Sequence, residues 1–416
     1  MEGGRGGPPP PRGLLGTLSG RRILLVVTGG VAAYKTVYLA RLLVKAGASV
    51  RTALTEAGAR FVTPLTFEAA TGGEAAASMW ERRRTEIGHV AWAEWAELAI
   101  VAPATADFCA RLACGLAGDF PSALLLATAA PVVVCPAMNT GMLLNPATAA
   151  NLATLEGRGV TVLGSPSGPL ACGSTGEGRM AEPPDVAAAA ARALAPGWLA
   201  GRRVIVTSGA TAEPWDDIRY LTNRSSGRMG AELARAAWLL GAEVELISGP
   251  YAEEAGVNAP GLAQTRVGDC RELLAALESR IGEAQVLVMN AAPADFRPAE
   301  RVTGKIGKAG GIPRLELARN PDILATLAPR KPAGSVWIGF AAESGDLEAG
   351  ARAKLAAKAL DYIAANSASG PGSAFGGGLT ELTVLDPSGR VTLRTPRVAK
   401  FEAAWLLLES VFGGAG

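Results

Sequence analysis

The chain is poor in the groups that most often announce a site. It has a single histidine, His89, and five cysteines: Cys109, Cys114, Cys135, Cys172 and Cys270. The cysteines are odd in number, scattered, and form no C-x-x-C pair, which argues against a disulfide framework or a zinc site and fits a reducing cytoplasm. Charge is scarce too: charged residues make up 19%, and 40 basic against 38 acidic side chains leave a formal +2. That balance calls for neither nucleic acid nor an anionic membrane, while phosphate-bearing small molecules remain open. No apolar run reaches the roughly 18 residues of a membrane-spanning helix. The first 19 residues lack the apolar core of a secretion signal. Glycine-rich, with Pro8 to Pro11 in a row, they read as a disordered lead-in.

What is present is a globular chain of 416 residues, 49% apolar, with room for two or three domains. It starts twice. Gly20-Arg21-Arg22 leads into the apolar run Ile23 to Val27 and then Thr28-Gly29-Gly30; about 180 residues later Gly201-Arg202-Arg203 leads into Val204 to Val206 and then Thr207-Ser208-Gly209. Each start reads as a buried parallel strand that delivers a tight turn at its carboxyl end, where open α/β sheets place ligands. Two nucleotide-type domains in series follow from this, with the boundary at Ala195-Pro196-Gly197.

In the first half, Val31 to Val44 reads as a helix and Ser49 to Thr55 as the next strand, a β-α-β unit. The turn is G-G-x-A-A, not G-x-G-x-x-G, and the second strand ends in Thr55, not an acid. A helix N-terminus with hydroxyl neighbours suits a single phosphate, so FMN fits better than NAD, although Gly29 and Gly30 would also serve a bare tight turn. The strands Leu98 to Val101 and Val132 to Cys135 end in Ala102-Pro103-Ala104-Thr105-Ala106-Asp107 and Pro136-Ala137-Met138-Asn139-Thr140-Gly141-Met142. These tips line up at one sheet edge. A lone histidine is more often a packing residue than a catalyst, and the glycine-rich stretch around Cys172 is either a plain loop or a mobile lid.

In the second half, Thr207 to Thr211 again offers N–H and hydroxyl groups to a phosphate. Arg219, Arg224 and Arg228 with Ser225 and Ser226 make an anion clasp or a solvated basic loop. The strand Val286 to Met289 runs into Asn290 to Phe296. Lys305 and Lys308 lie on a glycine-flanked segment that suits closure over a triphosphate. Asn320 and Pro321 read as N-cap and first position of a helix, and Lys354 and Lys358 fall on one helical face. Leu379 to Leu385 and Arg390 to Leu393 read as a hairpin.

Thr28 to Lys35, Gly88-His89, Ala102 to Asp107, Pro136-Ala137-Met138-Asn139-x-x-Met142 and Ala171-Cys172-Gly173, in that order, resemble the flavin-containing cysteine decarboxylases. Thr207 to Pro214, Asn223-x-Ser225-Ser226-Gly227-x-Met229-Gly230, Ala294-Asp295-Phe296, Lys305, Asn320 to Ile323 and Gly339 to Glu343 look like the ligase half of the bifunctional phosphopantothenoylcysteine decarboxylase/phosphopantothenate–cysteine ligases of coenzyme A synthesis. Two departures stand out. Ser174 follows Ala-Cys-Gly where the family usually has aspartate, and Gly307 interrupts what is usually a denser lysine cluster.

The resemblance implies two doubly wound α/β domains with mostly parallel sheets: a flavodoxin-like flavin domain over 20–195 and a Rossmann-like ligase domain over 200–412. It implies CTP-dependent ligation of L-cysteine to 4′-phosphopantothenate through an acyl-cytidylate, with Mg²⁺ bound by ligands the sequence leaves unknown. FMN-dependent decarboxylation to 4′-phosphopantetheine then follows. Gly29, Gly30, Thr55, Ala102, Thr105 and Met142 would hold FMN. Cys172 would be the acid, His89 the base and Asn139 the holder of the departing carboxylate. Asn223, Arg219, Ala292, Asp295, Lys305, Lys308, Pro321, Asp322, Ile323, Leu324, Phe340, Lys354 and Lys358 would serve CTP and the acyl-cytidylate. The family also implies homo-oligomers, with flavin domains in trimers that complete sites between subunits and ligase domains in pairs. Competing readings are a flavin-binding regulatory protein and an NAD(P)-dependent two-domain reductase; the missing dinucleotide fingerprint disfavours the second.

Overall fold

The computed structural model describes residues 11–80, 88–169, 175–252, 259–307, 313–343, 346–367 and 377–414. Residues 15–195 form one compact unit, and residues 196–257 with 261–416 form another.

In the first unit six strands make one parallel sheet: β1 (Arg22–Val27), β2 (Ser49–Leu54), β3 (Ala75–Ala76), β4 (Leu98–Ala104), β5 (Val132–Pro136) and β6 (Thr161–Val162). Their order is β3-β2-β1-β4-β5-β6. Without the two-residue edge strand β3 this is the flavodoxin order, with the switch point between β1 and β4. Ile23 to Val27 are wholly buried, as the unbroken apolar run requires of a strand covered by helices on both faces. Parallel pairing of Val27 with Leu54 and of Val26 with Val101 brings the tips at Thr28, Thr55 and Thr105 to one edge.

The reading of residues 1–19 as disordered is corrected over its second half; residues 1–10 lie outside the described chain. Gly16–Leu18 forms a 3-10 turn, Leu18 is fully buried, and Thr17 Oγ1 donates to the Ala191 carbonyl at 3.0 Å. Composition weighted the glycines and prolines. The apolar partner of Leu18, the alanine-rich helix Pro183–Ala193, lies too far along the chain to enter a local reading.

The second unit carries an eight-stranded sheet: β7 (Arg203–Ser208), β8 (Glu243–Ser248), β9 (Ala263–Arg266), β10 (Val286–Met289), β11 (Val336–Glu343), β12 (Tyr362–Ser367), β13 (Thr383–Leu385) and β14 (Val391–Arg394). The order is β9-β8-β7-β10-β11-β12-β13-β14. The first six strands are parallel, in the Rossmann order, with the switch point between β7 and β10. The last two are antiparallel. The expected hairpin is therefore real but shorter, because Leu379–Thr380 leaves it to pair with Val398–Ala399. Strand β11 continues through Phe340 to Glu343 along β12, so these residues are held on the sheet. The helix expected to start at Asn320-Pro321 starts later: Asp322 is its N-cap, accepting from Ala325 N at 3.2 Å. Asn320 instead donates through Nδ2 to the Ala294 carbonyl at 2.8 Å.

Candidate functional site

At the carboxyl edge of the first sheet two adjoining cavities share Gly29, Thr105, Ala106 and Met142. The smaller, about 540 Å³, adds Gly30, Lys35, Asn139 and Arg179. The larger, about 1050 Å³, adds Thr55, Glu56, Arg60 and Trp80. Thr55 and Thr105 each cap a helix, accepting from Gly58 N at 2.9 Å and Phe108 N at 3.3 Å. These helix starts turn N–H-rich backbone toward the sheet edge. The intervening turn is locked by Thr28, whose hydroxyl donates to Pro103 O at 2.7 Å and accepts from Thr105 N at 3.1 Å. A side chain at Gly29 would meet Ala57 Cβ at 2.4 Å, so only glycine lets the two turns approach. A flavin fits this donor set: helix starts and hydroxyls suit a phosphate, and an apolar wall with Met142 suits a planar ring.

Of the six residues expected to hold FMN, the structure gathers Gly29, Gly30, Thr55, Thr105 and Met142 in these walls. Ala102 is not among them. It is fully buried within β4, and its carbonyl accepts from Thr36 Oγ1 at 2.8 Å. Asn139 does line the smaller cavity, at the N-cap of Thr140–Leu143, with Oδ1 accepting from Gly141 N at 2.8 Å. His89 sits on the first turn of the helix Gly88–Trp95 and lines neither cavity. Cys172 lies outside the described residues. Further along the chain, Gly178 closes on Met138, whose N–H donates to the Gly178 carbonyl at 2.9 Å. Burial pushes the Cys109 and Cys270 thiols up to about 11 and about 12 and raises Cys135 as well, so these three stay protonated and inert.

The second unit holds a cavity of about 690 Å³ whose wall includes Asn223 to Met229, Asn290 to Ala292, Asp295, Phe340, Lys354, Asn366 and Lys400. Expected site residues Asn223, Ala292, Asp295, Phe340 and Lys354 are thus brought together. Asn223 Nδ2 ties the basic loop to the β10 turn, donating to Pro293 O at 3.0 Å and Ala292 O at 3.3 Å. Lys354 faces Glu343 at 2.7 Å.

The other expected residues lie off this wall. Lys358 pairs with Asp322 at 3.0 Å, and Ile323 and Leu324 are buried in the core. The Pro321 carbonyl lies 3.8 Å from the Cys270 thiol. Arg219 pairs with the buried Asp216 at 2.9 Å. Lys305 is exposed, and Lys308 lies outside the described residues. Asp216 links two of these: its carboxylate accepts from Arg219 N at 2.6 Å and from Ile306 N at 3.1 Å. Burial opposes its charge, but these N–H donors and the Arg219 guanidinium overrule it and hold its carboxyl below the ordinary 3.8.

One expectation fails for a clear reason. The hydroxyls of Thr207, Ser208 and Thr211 do not face a phosphate; all three are buried and in use. Thr207 Oγ1 accepts from Ala291 N at 3.0 Å, Thr211 Oγ1 accepts from Ala294 N at 3.0 Å, and Ser208 Oγ donates to Gly227 O at 2.7 Å. They hold the two loops that form the wall. Asn366 and Lys400 also belong to this wall, although neither lies in a local sequence pattern that marks it. Among the described residues no group of three or more His, Cys, Asp or Glu side chains could hold a metal ion, and no helix is long and apolar enough to cross a membrane.

Two open, mostly parallel sheets, each with a cavity at its carboxyl edge and neither with a dinucleotide fingerprint, define an α/β protein of two doubly wound units. Residues 13–194 match the Flavoprotein family and residues 199–413 the DNA/pantothenate metabolism flavoprotein C-terminal domain. The coenzyme A biosynthesis bifunctional protein CoaBC of Vibrio cholerae is 41% identical over 380 residues, 91% of this chain and 94% of its own. That of Bacillus subtilis is 39% identical over 399 residues, 95% and 97% of the two chains. That of Escherichia coli K12 is 40% identical over 364 residues, 86% and 89% of the two chains. The chain belongs to the CoaBC family of bifunctional coenzyme A biosynthesis proteins.

Proposed function

We propose that the chain performs two consecutive steps of coenzyme A synthesis. In the second unit the carboxylate of 4′-phosphopantothenate attacks the α-phosphorus of CTP; the bond to the β-phosphate breaks, pyrophosphate leaves, and an acyl-cytidylate forms. The amine of L-cysteine then attacks the acyl carbon, and CMP departs with the bonding pair. In the first unit the new cysteinyl group loses CO₂, and 4′-phosphopantetheine is the product. The match that runs through both units over 91% of the chain carries this reading.

Nucleotidyl transfer needs charge neutralised more than covalent help. Arg224, Arg228 and Lys354 on the cavity wall support that role, and Lys305 and Lys308 are assigned to it as residues that close over the triphosphate. Asp295 and Phe340 hold the cytidine. Mg²⁺ enters with the nucleotide, since it keeps water and phosphate ligands in preference to a dedicated protein cage. Asn223 holds the acyl-cytidylate beside the β10 turn.

In the first unit a bound flavin, here FMN, serves as a reversible two-electron acceptor that gives the decarboxylating carbon an electron sink. Asn139 orients the departing carboxylate, and Cys172 returns the proton. His89 lies off both cavities of its own chain. That position supports a site completed by a neighbouring copy in a trimer of flavin domains; pairing of the ligase domains and a cytoplasmic location follow from the family resemblance alone.

The test is direct. Purified protein should be yellow; CTP with 4′-phosphopantothenate alone should yield at most about one enzyme equivalent of pyrophosphate, and CMP release with continued turnover should need cysteine as well. Colourless protein that stays so when FMN is added, or CTP turnover indifferent to cysteine, would sink the proposal.

A further inference from the structure

We infer that Arg51 is a positioning residue for the decarboxylation: it fixes the helix Gly88–Trp95, and with it His89, against the sheet of the first unit. This rests on the reading of His89 as the base. Arg51 interrupts the run Ser49-Val50-Arg51-Thr52-Ala53-Leu54 of β2, where its backbone pairs with the wholly buried Leu24 of β1. Only 27% of its side chain is exposed. A charge inside a parallel strand covered by helices is costly and needs partners.

The helix that carries the histidine supplies them. The guanidinium carbon of Arg51 stands 4.4 Å from the ring centre of Trp95 and 5.4 Å from that of Trp92, within the range where an aromatic face holds a cation. A planar guanidinium stacks on such rings, which an ammonium does less well. Glu74 adds an ion pair at 3.4 Å. Trp92, 2% exposed, carries the contact onward. It meets Phe120 edge-on, with 5.3 Å between ring centres, and Phe120 lines the larger cavity. Beside it Thr128 Oγ1 donates to the Ala93 carbonyl at 3.2 Å. These contacts fall on Trp92, Ala93 and Trp95, so they fasten the helix at its carboxyl end, while His89 occupies the first turn.

That geometry makes the helix a lever. His89 precedes Trp95 by six residues, about 9 Å along a helix axis. A tilt of roughly 6° about the fastened end therefore moves the imidazole by about 1 Å. Misplacement on that scale can cost a catalytic step about 100-fold. Because His89 lines neither cavity of its own chain, the walls of those cavities do not set its place; the anchored helix does. Arg51 lines neither cavity as well, so its effect on the base is separable from flavin binding.

The experiment is a double-mutant cycle in the full-length protein: wild type, Arg51→Met, Arg51→Lys, His89→Asn, and Arg51→Met combined with His89→Asn. Each is given 4′-phosphopantothenoylcysteine and followed by CO₂ release, with bound FMN read from its absorbance. Arg51→Met should lower kcat roughly 10- to 100-fold, with KM within about twofold and FMN content unchanged. Arg51→Lys, which keeps a cation over the rings, should recover part of that loss. In the His89→Asn background Arg51→Met should add less than about twofold, since displacing a base costs nothing once the base is gone. A full further loss in that background overturns the inference, as does an unchanged kcat in Arg51→Met. FMN lost in step with activity also overturns it, because that marks a merely structural arginine. His89→Asn with wild-type CO₂ release overturns the base reading itself, and the inference falls with it. If Arg51→Met does not melt cooperatively, the same cycle run with Trp95→Leu decides, because it removes the nearer ring and leaves the strand intact.

Discussion

At the scale of single residues the second unit depends on one buried carboxylate, that of Asp216. Asp216 accepts from three backbone N–H groups, of Ile218, Arg219 and Ile306, and pairs with Arg219. Asp217 holds the same segment through Gly304 N at 2.8 Å. Together they fix the stretch that carries Lys305. Because the folded pKa of Asp216 lies below its ordinary 3.8, its contribution to stability is complete above that value and is lost as pH falls through the folded one. Melting of the second unit should therefore drop as pH is lowered from about 5 to 3. Asp216→Asn should start lower and show a shallower drop; an unchanged slope refutes the role. The thiols give a second check at this scale. Cys109, Cys135 and Cys270 should resist iodoacetamide at neutral pH in the folded protein, since all three are buried and their pKa values raised. Labelling at any of them without denaturant contradicts the packing described.

At the scale of elements the controlling feature is how closely the helix Arg228–Leu239 approaches the tip of β7. A Cβ on Gly230 would stand 2.5 Å from Ser208 Cβ and 2.9 Å from its Cα. Alanine in a helix gains about 1 kcal/mol over glycine in propensity, but forced overlap with a backbone atom in a packed interior costs about 1–3 kcal/mol. The clash wins, because Ser208 is itself fastened to Gly227 and cannot retreat. Gly230→Ala should lower the melting temperature of the second unit by several degrees and weaken CTP binding, with flavin content unchanged. A rise in melting temperature would show that the helix can shift.

Local patterns made much of this legible. The apolar runs of β1, β2, β10 and the helices after Gly30 and Gly227 follow from period and turn chemistry. Contacts between distant segments were not legible: the burial of Leu18 needs the helix Pro183–Ala193, and Phe340 to Glu343 become strand only because β12 lies alongside. Thr207 and Thr211 looked like phosphate ligands because hydroxyls at a strand tip usually are. What they bond could be seen only once Ala291 and Ala294 were placed.

At the scale of the whole molecule, the repeated Gly-Arg-Arg start has a counterpart in two sheets, each with its own switch point and its own buried cluster. Each cavity is lined from within one unit alone, so damage at one wall should leave the other chemistry running. Asn139→Ala removes an amide from the first unit's smaller cavity and touches nothing in the second. It should slow CO₂ release roughly 100-fold, the scale for loss of one oriented group, while CMP release continues and 4′-phosphopantothenoylcysteine accumulates. Asn223→Ala should do the reverse. It frees the basic loop from Pro293 and Ala292, so CMP formation should fall by a similar factor, yet the variant should still decarboxylate supplied 4′-phosphopantothenoylcysteine. Quenched reactions analysed by mass spectrometry, with CMP, CO₂ and the cysteinyl intermediate followed in one sample, distinguish the two patterns. If either variant lost both activities together, the assignment of one reaction to each sheet would be wrong, because neither substitution alters a residue that lines the other unit's cavity.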